Sequence, residues 1–347
     1  MSTIVLGIES SCDESGAAIV QDGRLVLANV LASSAKIHQA YGGVVPEIAS
    51  REHLRSIVPV ISTALEEANI SLSDLTAIAV TQGPGLVGSL LVGVSAAKIL
   101  AASSGLPLIP VHHLAGHIAA NYLVHPDCKP PFLALLVSGA HSHIVEVNDY
   151  CDLKILARTR DDAPGEAFDK IAREIGLGYP GGPLIDRLAK QGNSTRLDLP
   201  KTRFQDSLDF SFSGLKTAVL NEVNKAEMKA KQLNKPRTEI LKNEDIAASF
   251  QTAVVESLLS HCEEALDSGK YKQFVVAGGV SANSHLRAEA KRLADRKSIP
   301  LFLPPIDLCT DNAAMIAAQG YYEYVNGKRA SWDLNARAHW ELGEVMA

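Results

Sequence analysis

The sequence is poor in cysteine and lacks any pair of cysteines at metal-binding spacing. Its five cysteines are Cys12, Cys128, Cys151, Cys262 and Cys309, an odd number of widely separated residues with no Cys-x-x-Cys arrangement. This pattern argues against a zinc ribbon. Reduced thiols in a reducing compartment fit the pattern best.

A long uninterrupted apolar segment is also lacking. The most apolar stretch, from Gly83 to Ile109, contains Lys98 and several glycines near its start, so neither half reaches the roughly 18 apolar residues of a membrane span. The segment Met1 to Gly7 has no basic region followed by an apolar core. We therefore expect a cytoplasmic location and no association with a membrane.

The sequence contains fewer basic than acidic residues. The 33 Lys and Arg residues against 39 Asp and Glu residues give a formal charge of −6, whereas proteins that grip phosphate backbones unaided usually carry the opposite sign. A nucleic-acid substrate would therefore need a local basic patch or a partner protein. The length of 347 residues, with 46% apolar and 21% charged residues, predicts an ordinary globular protein with two cores.

The sequence does contain a strand meander that occurs twice. The first copy has an acidic first turn at Asp13 and Glu14. The predicted strands are Ile4–Ile8, Ala17–Val20 and Leu25–Ala28 in the first copy, and Phe132–Val137, His143–Val147 and Leu153–Ala157 in the second. Each copy is followed by a helical segment and a further strand. This duplication predicts an α/β protein with the two-lobed actin/Hsp70/sugar-kinase-like fold, duplicated mixed-sheet lobes and a central cleft.

The predicted domain boundaries follow from the second meander. Residues 1–129 form lobe I, and residues 130–319 form lobe II. A C-terminal helix of about residues 320–347 is expected to pack back on lobe I. Within lobe II, Asn243 is expected to cap a long helix.

The sharpest local motif is a pair of histidines one helical turn apart. If a helix starts after Val111, His113 and His117 lie on one face, where both imidazoles can reach one ion, while His112 points elsewhere. Two histidines at a helix start that only form structural hydrogen bonds would show the same spacing, so the motif alone leaves both interpretations open. Zinc peptidases place a glutamate directly after the first histidine, and Leu114 stands there, which makes that mechanism unfavourable.

A carboxylate that could complete this pair lies near the C-terminus. Thr310 or Asp311 is expected to cap the following helix, which is the common role of such residues. Alternatively, Asp311 completes a two-histidine, one-carboxylate set with open positions, which suits Fe(II) or Zn(II). Both roles are compatible if Thr310 caps the helix and Asp311 ligates.

Three turns contain glycines whose backbone could approach a ligand closely. They are Ser138-Gly139-Ala140, Gly181-Gly182-Pro183 and Gly278-Gly279. Free N–H groups at a following helix can hold a phosphate or carboxylate. Together with the acidic turn, these segments indicate a nucleotide cleft, although each turn alone is weak evidence.

Other charged residues have two interpretations. Asp169 and Asp186 could accept hydrogen bonds from the hydroxyls of a ribose or an amino acid, or could belong to solvated helix faces. The basic run from Lys225 to Lys242 could contact phosphate, although a solvated helix and linker is the simpler interpretation.

Taken together, the motifs resemble the universal tRNA N6-adenosine threonylcarbamoyltransferase family, once labelled glycoprotein endopeptidases. The resemblance runs essentially from end to end. It rests on Gly7–Glu14, Val45–Arg51, Gln82–Leu86, His112–His117, Gly165–Lys170, Tyr179–Pro183, Phe210–Lys216, Gly278–Asn283 and Cys309–Asn312.

The resemblance implies transfer of a threonylcarbamoyl group from threonylcarbamoyl-AMP to N6 of the adenosine next to the anticodon, in tRNAs that read codons beginning with adenine. By position, His113, His117 and Asp311 match the family's ligands for one divalent ion, with Fe(II) favoured over Zn(II). The residues that match its binding of the adenylate donor are Leu136, Val137, Ser138, Gly139, Ala140, Asp169, Gly182, Asp186 and Asn283.

The resemblance also implies partners, since the family works with a paralogous partner subunit and a small ATPase in bacteria. We expect Asp13 and Glu14, from their charge and position, to orient a water or relay the proton of the amine. The sequence departs from the family at Ala140, where a second glycine is common, at His143, where glutamine is usual, and at Ala115, where an acidic residue is frequent.

Two functions of other classes remain open at this point. An actin-like scaffold subunit that binds or hydrolyses ATP would need the acidic and glycine-rich turns but not the His113, His117 and Asp311 set. A metallopeptidase is the less favoured alternative, because the glutamate that it needs is not in the motif.

Overall fold

The computed structural model describes residues 2–344 of the chain. Its strands are β1 (Ile4–Glu9), β2 (Glu14–Gln21), β3 (Leu25–Ser33), β4 (Ala77–Gly83), β5 (Leu108–His112), β6 (Phe132–Val137), β7 (Ser142–Asp149), β8 (Asp152–Arg158), β9 (Phe274–Ala277) and β10 (Leu301–Phe302). Both predicted strand meanders are thereby confirmed.

The helices alternate with these strands. They are α1 (Ala35–Gln39), α2 (Pro46–Ala68), α3 (Val87–Ser104), α4 (His113–Ala119), α5 (Pro164–Glu174), α6 (Gly181–Ala189), α7 (Ser213–Leu233), α8 (Arg237–Ile240), α9 (Asn243–Leu266), α10 (Ser284–Lys297) and α11 (Ala313–Val325). Short 3₁₀ helices occur at Leu72–Asp74, Gly279–Ala282 and Ile306–Leu308.

The two sheets repeat one strand order. The first sheet runs β3-β2-β1-β4-β5 and the second runs β8-β7-β6-β9-β10. In the first sheet, β1 is antiparallel to β2 and parallel to β4, which is parallel to β5. In the second sheet, β6 is parallel to β9, and β9 is parallel to β10. The shared order confirms the predicted duplication.

The chain divides into two compact units. Unit 1 comprises residues 1–132, 146–154 and 304–347, and unit 2 comprises residues 133–145 and 155–303. Residues 304–319, which the sequence placed in lobe II, therefore cluster with unit 1. The physical reason is α11, whose buried residues, such as Met315 and Ile316, pack in one cluster with Val5, Val20 and Ile109 of the first sheet.

The predicted C-terminal helix of about residues 320–347 is misplaced. The helix is α11 and ends at Val325, and residues 328–344 contain turns, bends and segments without regular secondary structure. Gly327, with φ of 87°, takes a left-handed conformation that stops the helix. Residues 345–347 of that prediction lie outside the described residues.

Glycine in β1 lets α11 lie directly on the sheet. A Cβ at Gly7 would stand 2.5 Å from the carbonyl oxygen of Ala313 and 2.8 Å from Cβ of Ala317. Such distances are not tolerated in packed interiors, so any larger residue at Gly7 would push the helix away. This close packing fixes the start of α11, where Asp311 lies.

Two local predictions have different outcomes. The capping box at Ser71 and Asp74 is present. Asn243, by contrast, does not cap α9, because it is the first helical residue and Lys242 is at the N-cap. Its side chain instead donates to the carbonyl of Ile175 and accepts from Arg237.

Helix α3 is long and apolar enough to cross a membrane by length and composition. It is the one such helix among residues 2–344, and one third of it is buried within the protein. Its buried residues Leu90, Val94, Ala97 and Ala101 face the interior of unit 1. A core helix of this kind passes the same test as a membrane span, so the observation is weak evidence for a membrane.

Candidate functional site

The structure brings His113, His117 and Asp311 together in unit 1. Oδ1 of Asp311 lies 3.4 Å from Nε2 of His113 and 3.2 Å from Nε2 of His117. One ligand atom from each residue lies within 4.8 Å of the other two. The three residues therefore form a potential metal site built from two helix starts.

The geometry of this cluster fits a divalent ion. Ligand bonds of about 2.0–2.1 Å in a tetrahedral arrangement separate the ligand atoms by roughly 3.3 Å, close to the observed distances. Both ring nitrogens of His117 are buried; Nδ1 has no hydrogen-bond partner in the described part of the chain, and Nε2 lies 3.2 Å from Oδ1 of Asp311 without good hydrogen-bond geometry. Coordination of an ion between Nε2 and this carboxylate would satisfy both buried groups.

Strand order explains why distant residues meet at this point. The parallel strands β1, β4 and β5 are neighbours in the first sheet, so their carboxyl ends lie along one edge. Glu9, Thr81 and His112 are at or near those ends. Binding sites in such sheets form at this edge, which places α4 there directly after β5.

A close contact between α4 and α11 sets the spacing of the ligands. A Cβ at Gly116 would lie 2.7 Å from Cδ1 of Ile316 and 3.3 Å from Cγ of Met315. The glycine between the two histidines therefore allows the helices to approach. The cap of α11 is Asn312, whose Oδ1 accepts from the N–H of Met315 at 3.0 Å, and not Thr310 or Asp311 as the sequence suggested.

A buried carboxylate, Glu9, orients His113. Oε2 of Glu9 lies 3.1 Å from Nδ1 of His113 and accepts from Oγ1 of Thr81 at 2.6 Å. Its other oxygen accepts from the N–H of Ser11 at 2.5 Å. With Nδ1 held by Glu9, Nε2 is directed at Asp311 and could coordinate an ion in place of a proton, the arrangement typical of histidine ligands of metals.

The electrostatics of this cluster favour its charged forms. Burial opposes ionisation of Asp311, but the imidazoles of His113 and His117 outweigh it and lower its pKa. Burial likewise opposes protonation of His113, yet the carboxylates of Asp311 and Glu9 raise its pKa well above the usual value. Such concentrated negative charge near two imidazoles is suited to a cation.

The acidic turn is in the same unit as this cluster. Glu14 begins β2 and accepts from Oγ of Ser33 at 3.0 Å. Burial, together with the charges of Asp311 and Asp13, raises the pKa of Glu14 to about 9. The carbonyl of Asp13 accepts from the N–H and Oγ of Ser34 at 3.0 and 2.9 Å, which leaves its carboxylate out of this contact.

His53 of α2 also supports the turn. Its Nε2 donates to the carbonyl of Cys12 at 2.9 Å, and its Nδ1 lies 2.5 Å from Oγ of Ser15. Burial raises the pKa of the Cys12 thiol, as do the negative charges of Asp311 and Asp13, so this cysteine is not an activated nucleophile.

The sequence-predicted binding residues of unit 2 are linked in one chain of contacts. The N–H of Glu166, at the start of α5, donates to the carbonyl of Gly139 at 3.1 Å. From the same helix, Asp169 accepts from the N–H of Gly181 at 2.7 Å. Asp186 of α6 accepts from Oγ of Ser284 at 2.8 Å, at the start of α10. The strand end and three helix starts thus surround one region of unit 2.

Open space lies over the glycines of this region. A Cβ added at Gly139, Gly182 or Gly279 would have no atom within 4 Å. Packing therefore does not require glycine at these three positions, whereas a ligand lying against the backbone would. At Gly181, by contrast, a Cβ would lie 2.6 Å from Cβ of Ala172, so that glycine is needed for packing.

Several side chains predicted to bind a ligand are engaged within the protein. Burial raises the pKa of Asp169, although the N–H groups of Gly181 and Gly182 oppose this. Asn283 caps α10 through Leu286 and donates to Gln251 at 2.7 Å. Leu136 and Val137 are fully buried within β6, so only their backbones can face a ligand. We call the turn 138–140 with the starts of α5, α6 and α10 the glycine cradle.

The departure at Ala140 is accommodated without backbone strain. Ala140 is not among the described residues with positive φ. The turn closes instead through the N–H of Ser138, which donates to the carbonyl of His141 at 2.8 Å. Ala115 is buried and offers no polar group to the histidine cluster.

Sequence reasoning overlooked Glu9, Thr81 and His53. Glu9 stood within a recognised motif, but it was placed in the turn after the predicted strand Ile4–Ile8 and not recognised as a partner of His113. A charged residue ending an otherwise apolar strand was the available signal, since buried carboxylates need partners.

Comparison with known proteins identifies the family. The family model described as TsaD, tRNA N6-adenosine threonylcarbamoyltransferase, matches residues 25–318. The chain belongs to this family. A curated TsaD relative from Clostridium botulinum (strain Hall) is 52% identical over 341 residues, covering 98% of each chain. Another, from Clostridium perfringens (strain SM101), is 51% identical over 342 residues with the same coverage. Both carry the name tRNA N6-adenosine threonylcarbamoyltransferase.

Solved structures show the fold of this TsaD family member. T. kodakarensis HypF matches 94% of the chain and 48% of its own length, with a TM-score of 0.62 and 12% identity. Component A of (R)-2-hydroxyglutaryl-CoA dehydratase from Acidaminococcus fermentans matches 94% and 99%, with a TM-score of 0.51 and 16% identity. With two sheets of one strand order, the chain has the actin/Hsp70/sugar-kinase-like α/β fold.

Proposed function

We propose that this protein transfers the threonylcarbamoyl group of threonylcarbamoyl-AMP to N6 of the adenosine next to the anticodon, in tRNAs that read codons beginning with adenine. Membership of the TsaD family, with relatives 52% identical over 98% of the chain, carries the proposal. The residues of both candidate sites support it. The donor and the tRNA position come from the family resemblance.

His113, His117 and Asp311 would hold one divalent ion. Two imidazoles and one carboxylate with open positions favour Fe(II), and Zn(II) accepts the same ligands. When bound, such an ion supplies Lewis-acid stabilisation of negative charge that develops on a carbonyl or phosphate oxygen. Glu9, beside Nδ1 of His113, would hold the ring with Nε2 directed at the ion.

In the transfer step, the N6 amine attacks the carbamoyl carbon, a C–N bond forms, and the bond from that carbon to the AMP oxygen breaks. AMP leaves with the electron pair of that bond, and the amine loses a proton. With a pKa of about 9, Glu14 carries a proton at neutral pH. We therefore assign proton acceptance to Asp13, and assign to Glu14 a hydrogen bond donated from its protonated form.

This assignment has a direct test. Asp13→Asn should lower the single-turnover rate of transfer at saturating donor, while donor affinity stays at the parental value. An unchanged rate would remove Asp13 from the mechanism. Glu14→Gln, which keeps a donor group, should reduce the rate less than Glu14→Ala.

The glycine cradle of unit 2 would bind the donor. Backbone N–H groups near Gly139 and Gly182 suit the phosphate or the carboxylate of threonylcarbamoyl-AMP. Asp169 and Asn283, engaged with neighbouring helix starts, would act by fixing the backbone around the ligand. Asp186 has one oxygen on Ser284 and the other 3.8 Å from Lys190, so a hydroxyl of the donor would compete with Lys190.

The acidic composition bears on how tRNA is held. At a net charge of −6, we propose that partner proteins supply part of the phosphate contact, namely a paralogous partner subunit and a small ATPase. Exposed apolar residues on α2 and α3, among them Leu54, Val58 and Ile99, support a protein partner for unit 1. We further propose a cytoplasmic location without membrane association.

The alternative functions find less support. An ATP-hydrolysing scaffold has no need for a histidine-carboxylate cluster with this geometry. For a metallopeptidase, the carboxylate nearest His113 is Glu9, and it contacts Nδ1, the ring nitrogen opposite the one that faces Asp311. Glu9 is therefore not placed to activate a metal-bound water. Leu114, which stands where zinc peptidases have their glutamate, has no group that could do so.

The decisive experiment incubates the purified protein with threonylcarbamoyl-AMP and unmodified tRNA, with and without candidate partner proteins, and analyses the nucleosides by mass spectrometry. Threonylcarbamoyladenosine should form with the parent protein. Asp311→Asn should abolish it, while His125→Ala, at a partly exposed histidine beyond the end of α4, should not. Absence of the modified nucleoside under every combination would overturn the proposal.

A further inference from the structure

His112, the residue directly before the first histidine ligand, joins a strand to a helix. His112 ends β5 and is the N-cap of α4. Its Nδ1 accepts from the N–H of Leu114 at 3.1 Å, which satisfies one of the free N–H groups of the helix start. Histidine seldom serves as a helix cap, since serine, threonine, aspartate and asparagine are preferred. Capping alone therefore does not account for a histidine at position 112.

The other nitrogen of His112 contacts the C-terminal segment. Nε2 lies 3.1 Å from the carbonyl oxygen of Trp340. A carbonyl can only accept, so Nε2 carries the proton and Nδ1 is the acceptor that the cap requires. The two rings also pack against each other, with centroids 4.6 Å apart. One contact with Trp340 thus fixes both the tautomer and the orientation of His112.

The C-terminal segment, residues 330–342, is itself tied to the sheet that carries the site. The N–H of Ala330 donates to Leu108 at 2.8 Å, and the N–H of Arg337 donates to Gln82 at 2.8 Å. The carbonyl of Arg337 approaches β4 so closely that a Cβ at Gly83 would stand 2.0 Å from it. Trp340 is buried, with 8% of its surface exposed. The segment is therefore a fixed part of unit 1 and holds Trp340 in place.

Helix α4 has two attachments, one on each side of the histidine ligands. At its middle, Gly116 packs against α11, which follows Asp311. At its start, His112 links it to Trp340. Helix α4 has only seven residues, so most of its backbone N–H and C=O groups have no partner within the helix. Its orientation therefore depends on contacts with neighbouring segments. Loss of the His112 attachment would let the start of α4 rotate and would separate His113 from Asp311.

We propose that His112 and Trp340 are positioning residues of the metal centre, and that the C-terminal segment contributes through Trp340. They hold α4 so that His113 and His117 face Asp311. This inference rests on the proposed metal site, and its test must separate the two. Neither residue would touch the ion or the substrate.

The test is a titration of the purified protein with Co(II), whose visible absorption reports ligand number and geometry. Trp340→Ala keeps the backbone carbonyl that faces His112 but removes the ring that packs on His112 and anchors this part of the segment. It should weaken Co(II) binding about tenfold, the lower end of the effect of residues behind metal ligands, and should change the spectrum. Trp332→Ala is the matched control, since Trp332 lies in the same segment but is 60% exposed. It should bind Co(II) like the parent.

Substitutions at His112 separate capping from attachment. His112→Asn retains a good cap but is too short to reach Trp340, and it should weaken Co(II) binding about as much as Trp340→Ala. His112→Ala loses both contacts and should weaken it further. Melting of each variant in excess EDTA reports its fold independently, and should Trp340→Ala fail to fold, His112→Asn alone decides.

The outcomes distinguish the two proposals. Parental Co(II) affinity and spectrum in folded His112→Asn would overturn the positioning role. His117→Ala should abolish the Co(II) spectrum in the same titration. If His117→Ala binds Co(II) like the parent, the metal site itself is wrong, and the positioning role falls with it.

Discussion

The candidate metal centre of unit 1 and the glycine cradle of unit 2 are built in opposite ways. At the metal centre, side chains from β1, α4 and the start of α11 converge, and Nε2 of the buried His117 lies 3.2 Å from the carboxylate of Asp311. At the cradle, most polar side chains are engaged with neighbouring helix starts, and the backbone faces open space at Gly139 and Gly182. The first site is suited to an ion, and the second to an anionic ligand that lies against N–H groups.

This difference means that the two sites should fail in different ways. Removing a side chain at the metal centre deletes a ligand or the group that orients it. At the cradle, adding a methyl group is the informative change, because the binding surface is backbone. The following predictions use this contrast.

The largest effect is expected for His117→Ala. Loss of one of three ligands should abolish stoichiometric metal binding and lower transfer at least a hundredfold. Metal content by mass spectrometry and nucleoside analysis measure both effects. His125→Ala, at a partly exposed position, is the control for loss of an imidazole. Full metal content in His117→Ala would contradict the assignment.

A smaller effect is expected for Glu9→Gln. The substitution preserves shape but removes the charge that orients His113, so metal affinity should fall about 10–100-fold, as for other residues behind metal ligands. Competition with a chelator measures the affinity. Glu67→Gln, at an exposed position of α2, should leave it unchanged. An unaltered affinity in Glu9→Gln would mean that the hydrogen bond to His113 suffices without charge.

The cradle offers a matched pair of glycine substitutions. Gly182→Ala should raise the KM for the donor roughly tenfold without changing the melting temperature, because its Cβ meets no protein atom within 4 Å. Gly181→Ala should instead destabilise the fold by about 1–3 kcal/mol, since its Cβ would lie 2.6 Å from Cβ of Ala172. Thermal melts and donor kinetics on both variants check this. Equal KM values for Gly182→Ala and the parent would remove the donor from this turn.

The smallest effect concerns the pH dependence of stability. Glu14 has a pKa of about 9 in the folded metal-free protein, against an ordinary value of 4.5. The folded state therefore keeps a proton that the unfolded state releases, and this contribution makes stability fall as pH rises from about 5 to 9. In EDTA, Glu14→Gln should melt a few degrees higher at pH 8 than the parent and equally at pH 4. A constant difference between the two pH values would contradict the raised pKa.

Much of the fold could be predicted from the sequence because it depends on local patterns. The alternating meanders predicted both sets of strands, and the capping box at Ser71 marked its 3₁₀ helix correctly. Helix ends were less predictable. The cap of α11 is Asn312, although Asp311 has a similar propensity for that position and Thr310 a somewhat lower one, because packing on the sheet decides which residue starts the helix.

The candidate site was predictable in part. His113 and His117 stand one turn apart in the sequence, so their convergence needs only a helix. Asp311, almost two hundred residues away, was assigned through the family resemblance. Glu9 and His53 were overlooked because a hydrogen bond across more than forty residues leaves no periodic signal.

By itself, the sequence determined the order of strands and helices, the duplication, the histidine spacing and the glycine-rich turns, since each depends on residues close along the chain. Only the tertiary structure decided which side chains meet. The parallel order β1-β4-β5 gathers Glu9, Thr81 and His112 at one edge, and α11 brings Asp311 to them. The C-terminal segment adds Trp340 to His112. Such long-range contacts arise from packing of apolar surfaces, which constrains shape and not sequence spacing.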